Sequence, residues 1–69
     1  MILKGTCQLI KSAIEGEKYA VTQYRKIARD VLNVDKDSVE ASQFFVDLSN
    51  EHEQHLNKLS DELKKLECE

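Results

Sequence analysis

At 69 residues the chain is too short for two domains and marginal for one. A core of that size rarely supplies more than about 3–5 kcal/mol without staples, metal or oligomerisation. Charged residues make up 33%, yet the net charge is only −3, the mixed surface of a soluble protein. No basic cluster is interleaved with aromatic residues, so no nucleic acid is expected as a partner. Met1-Ile2-Leu3 is followed at once by Lys4 and Gly5, far too short an apolar run for a signal peptide or a membrane span. Cys7 and Cys68 form no CxxC motif and no disulfide framework. They are read as free thiols of a reducing, cytoplasmic compartment.

Proline is absent, and glycine occurs only at Gly5 and Gly16, so little interrupts helix. The first helix is expected from about residue 5 to 33. Ile10, Ala13, Ala20, Tyr24, Ile27 and Val31 follow steps of three and four once Glu17 is included, which is a heptad seam. Ile14, Val21 and Ala28 widen that stripe as a bundle helix requires. Lys4, Lys11, Lys18 and Arg25 repeat every seven residues on the other side and read as a solvated face.

Asn33-Val34-Asp35-Lys36-Asp37 breaks the pattern. Asn33 suits a C-terminal cap, and Asp37 with Glu40 makes a capping-box-like start. The second helix is expected over about residues 38 to 67, with a seam of Ala41, Phe45, Leu48, His52, His55 and Leu59. Leu56, Leu63 and Leu66 continue the stripe. A linker this short joins antiparallel neighbours. Two helices with stripes this wide cannot cover each other, so the expected fold is all-α: an antiparallel two-helix hairpin over 1–69, dimerising into a four-helix bundle.

Chemistry is sought where the stripes are interrupted. Glu17 is the one charged residue in the first seam, and a buried carboxylate costs several kcal/mol unless paired, protonated or metal-bound. His52 and His55 interrupt the second seam and, three residues apart, share a helix face. Antiparallel pairing about a turn near Asp35-Lys36 brings residues whose numbers total about 71 to one height. Glu17 then lies level with both histidines, and Glu51 is close enough in sequence to join them. Imidazole with carboxylate suits zinc, iron, manganese or nickel. A Glu–His pair that only fixes helix register is the competing structural reading.

The segment Gly16-Glu17-Lys18-Tyr19-Ala20-Val21-Thr22-Gln23-Tyr24 resembles the first-helix motif of the ferritin-like superfamily, rubrerythrins above all. Leu48-Ser49-Asn50-Glu51-His52-Glu53-Gln54-His55-Leu56 resembles that family's Glu-x-x-His segment. The resemblance implies a di-metal carboxylate bundle, of which this chain is one hairpin and a two-fold dimer the whole. It implies Glu17 and His55 as ligands, Tyr24 as a residue beside the metals, and iron as the first expectation, with zinc or manganese as alternatives. The expected activity is oxidation of Fe(II) or reduction of peroxide, with a separate electron-donor protein because no rubredoxin-like cysteine cluster is present. His52 stands where the family has glutamate, three residues before His55, and Glu51 is the candidate substitute carboxylate. The rival class is a non-catalytic helical interaction module with a degenerate site.

Overall fold

The computed structural model describes residues 4–68, so Met1–Leu3 and Glu69 of the expected hairpin lie outside it. Two helices make up the fold: α1, Lys4–Val34, and α2, Val39–Lys65. Both bounds agree with expectation to within about two residues. They pack as an antiparallel hairpin 55 Å long and 14 by 12 Å across. The radius of gyration is 15.7 Å, whereas a compact domain of this length would have about 11 Å. The chain is a rod, one helix layer thick.

The turn is built differently from the expected capping box. Asp35 N–H bonds the carbonyl of Val31 at 3.0 Å, extending the last turn of α1 past Asn33. Asp35 Oδ1 then accepts the N–H of Asp37 at 3.0 Å, an Asx turn. Its carbonyl accepts Ser38 N–H at 3.1 Å. Ser38, not Asp37, is the N-cap of α2, and its side chain makes no capping bond. The Asp35 side chain already holds the Asp37 N–H, the donor that Glu40 would take in a capping box begun at Asp37.

Burial places the intrachain seam one position round from the expected one. The buried residues of α1 are Cys7, Ile14, Val21 and Ala28, every seventh residue. Beside them runs a half-buried row of Ile10, Glu17, Tyr24 and Val31. On α2, Ser42 and Ser49 are buried, Leu56 and Leu63 half-buried in the same row, and Phe45, His52, Leu59 and Leu66 form the second row. Ala13 and Ala41, expected in the seam, are exposed. Small residues let the helices approach: Ser42 Oγ donates across the pair to the Ala28 carbonyl at 2.9 Å, and Ser49 Oγ donates to the Val46 carbonyl at 2.6 Å.

The free-thiol expectation is overturned, because Cys7 and Cys68 form a disulfide with Cα atoms 5.8 Å apart. Antiparallel pairing brings Cys7 and Cys68 to the same end of the hairpin, but heights that match at totals of about 71 leave them offset by a few residues. Instead α2 ends in a Schellman turn, with Glu67 N–H on the Lys64 carbonyl and Cys68 N–H on the Leu63 carbonyl. Glu67 takes a left-handed φ of 55°, which folds the chain back and delivers Cys68 to Cys7. Disulfides persist in oxidising surroundings, so the thiols give no ground for a reducing compartment. Among the described residues, no helix is long and apolar enough to cross a membrane.

Candidate metal centre

The half-buried rows of the two helices carry the interruptions seen in the sequence. Both rows face the same flank of the hairpin, and the antiparallel register sets Glu17 against α2 between His52 and His55. Glu17 Oε2 lies 2.5 Å from His52 Nδ1, and Oε1 lies 3.6 Å from His55 Nδ1. The two oxygens of one carboxylate thus turn to different imidazoles. Glu17 and His52 side chains are 22% and 28% exposed, His55 55%. The cluster is therefore open towards solvent on the His55 side.

One ligand atom from each of Glu17, His52 and His55 can be chosen so that all lie within 4.8 Å of one another. Bond lengths of about 2.0–2.2 Å to nitrogen and oxygen put tetrahedral ligands roughly 3.4 Å apart. The 3.6 Å approach of His55 is already at that spacing. His52 would have to give up its hydrogen bond to Glu17 and move out by about 1 Å. Two imidazoles and a carboxylate are a donor set for zinc, or for Fe(II) with open positions. The residues present fit a transition-metal ion.

Aromatic packing orients the site. Tyr24 stacks on His52 with ring centroids 5.4 Å apart, and Phe45 stacks on Tyr24 at 6.1 Å. His55 meets His52 edge-on at 5.8 Å. The His52 ring is thus held on one face by Tyr24 and through Nδ1 by Glu17, leaving it little rotational freedom. Glu51, named from the sequence as a substitute carboxylate, is exposed and is not among the clustered donors. The opposite flank carries the Arg25–Glu53 ion pair at 2.5 Å. Its side chains are 53% and 49% exposed.

Phe45 was missed as a contributor to the site, and Ser42 as part of the helix packing. Phe45 was read only as seam and Ser42 not at all, although the spacing 42, 49, 56, 63 repeats every seven residues and marks a buried row. The fold and site together define an all-helical hairpin with a Glu/His/His cluster on one flank. No family model, curated protein or solved structure matches this chain.

Proposed function

We propose that the chain is a metal-binding hairpin of the ferritin-like, rubrerythrin-like kind, which pairs with a second copy to enclose a transition-metal centre built on Glu17, His52 and His55. The observation that carries this reading is the Glu17 carboxylate lying between two imidazoles at one height of the helix pair. Iron is the leading candidate and zinc or manganese the alternatives. When bound, iron would supply oxidation of Fe(II) by dioxygen or peroxide, and an electron-donor protein would complete a peroxide cycle. The chain's own part is to hold the ion through Glu17, His52 and His55, with Tyr24 fixing the plane of His52. Glu51 would enter as a further carboxylate from the rim of the dimer.

Surface area supports the dimer. A folded monomer of 7.9 kDa exposes about 4,400 Å², while this hairpin exposes 5389 Å². The excess of roughly 1,000 Å² is close to the 800 Å² or so that each partner buries in a standard interface. The flank holding the site exposes apolar groups: Ile27, Val31 and Val34 line an open hollow near the turn, and Phe44 is 58% exposed. Pairing two such flanks gives a four-helix bundle with both Glu17 carboxylates inside.

A second reading, a structural interaction module, has one observation in its favour. Glu17 and His52 already satisfy each other, and among the described residues no buried side-chain nitrogen or oxygen lacks a partner. Elemental analysis of protein purified without added metal separates the two. The metal reading expects one or two transition-metal ions per dimer, lost in Glu17→Ala. Protein that stays metal-free after incubation with Fe(II), Zn(II) and Mn(II) supports the structural module.

A further inference from the structure

We infer that the Cys7–Cys68 disulfide is a redox-sensitive latch that sets the register of α1 against α2 at the level of Glu17, His52 and His55. The inference rests on the metal reading only for its effect on ion affinity. Geometry makes the case. The site needs Glu17 at one height of α2, since a slip of one helical turn, about 5.4 Å, would take it out of reach of His52. Two covalent ties oppose such a slip: the 35–38 turn at one end and the disulfide at the other. Glu17 lies about 15 Å along the helix from Cys7 and about 27 Å from Asp35. The disulfide is the nearer tie, and between it and Glu17 the α1 seam contains only Ile10 and Ile14.

The latch is built to open. Cys7 is 6% exposed and fixed inside α1, whereas Cys68 is half-buried and lies past the end of α2. Its approach depends on the left-handed backbone of Glu67, a conformation that residues with a Cβ disfavour. Once the sulfurs part, only two hydrogen bonds of the Schellman turn hold Cys68 in place. A dithiol reductant supplies the chemistry. Its thiolate attacks Sγ of Cys68, Cys7 leaves as a thiolate and takes up a proton, and the second thiol of the reductant closes its own disulfide as Cys68 is released. Two electrons and two protons pass to the protein, and the reductant becomes a cyclic disulfide.

The experiment compares oxidised wild-type chain, wild type reduced by a phosphine that is then removed, and the Cys7→Ser/Cys68→Ser double variant. Mn(II) is the probe, because free thiols would themselves take up Zn(II). Mn(II) affinity is expected to fall tenfold or more in both open forms. Amide exchange is expected to quicken at 63–68 and, more slowly, around Glu17 and His52. Equal affinity and equal exchange in all three would overturn the latch, as would a disulfide that resists every ratio of reduced to oxidised dithiol. Global unfolding on reduction would overturn it too, since a staple for the whole fold would have been removed. If no form binds Mn(II), Fe(II) or Zn(II), the metal reading fails, and exchange at Glu17 and His52 alone decides the latch.

Discussion

Ser42 donates its hydroxyl to the backbone carbonyl of Ala28 at 2.9 Å, a buried bond from one helix to the other. Ala28 is 3% exposed and Ser42 7%, so the two backbones meet where both side chains are smallest. The contact sits between the turn and the Glu/His cluster. Losing the hydroxyl in Ser42→Ala should cost about 0.5–1.5 kcal/mol, since the Ala28 carbonyl keeps its own helical bond. Ser42→Leu should cost more, roughly 1–3 kcal/mol, by wedging the helices apart. Denaturant melts of the two variants check the order; a leucine variant as stable as wild type would mean that the close approach does not matter.

The disulfide should add to the stability of a hairpin that its helix packing and pairing with a second copy keep folded without it. Closing a loop across a sequence separation of 61 residues restricts the unfolded chain by about 4 kcal/mol on the loop-entropy scale. Cys68→Ser is expected to lose that much, measured by urea unfolding against oxidised wild type. At the adjacent position, Glu67→Gly should stabilise the chain by about 1 kcal/mol, because glycine takes the left-handed φ of 55° without the Cβ clash. A destabilised glycine variant would show that the Glu67 side chain contributes something its backbone does not reveal.

Arg25 and Glu53 make the shortest interhelical ion pair on the flank away from the site, but both are about half exposed. Solvent screening leaves such a pair with less than about 1 kcal/mol. Arg25→Ala and Glu53→Ala should each shift stability by less than that, and added salt should shrink the effect further. A loss several times larger would require the pair to be buried in an assembly, on a flank the dimer described above leaves open.

Phe44 distinguishes a lone hairpin from a dimer. In one hairpin it is 58% exposed and touches Phe45 edge-on at 5.4 Å. Phe44→Ser should therefore change monomer stability by no more than about 0.5 kcal/mol. If the apolar flank pairs with a second copy, the same substitution should weaken the dimer, seen as a higher dissociation constant in sedimentation equilibrium. Leu59→Ala, half-buried in the hairpin, is expected to cost on the order of 2–5 kcal/mol once the dimer buries it fully. Wild-type chain that sediments as a cooperatively folding monomer would contradict the dimer.

The helices and their turn were legible because proline is absent and the apolar period is sustained. Which row faces the other helix was not. Ala13, Glu17, Ala20 and Tyr24 lie beside Ile14, Val21 and Ala28, and two adjacent apolar rows have the same period. Periodicity alone cannot say which row meets the intrachain partner. Ser42 and Ser49 were illegible for the opposite reason: a hydroxyl that bonds a backbone carbonyl can sit in a core, though its residue type reads as polar. The meeting of Glu17 with His52 and His55 could be read, because antiparallel height depends only on where the turn falls. Cys68 could not be placed, since its position depends on one left-handed residue that is not glycine.

The most direct measurement is metal content by elemental analysis, on wild type and on Glu17→Ala, His55→Ala, His52→Glu and Glu51→Ala, loaded with Fe(II), Zn(II) or Mn(II) and desalted. The account predicts one or two ions per wild-type dimer, falling as the pH is lowered because protons compete for imidazole and carboxylate. It predicts none in Glu17→Ala or His55→Ala. His52→Glu supplies a second carboxylate per chain and should raise iron binding towards two ions. Iron binding that is indifferent to His52→Glu but destroyed by Glu51→Ala would make Glu51 the working carboxylate. Wild-type protein that carries no ion under any of these conditions would contradict the account.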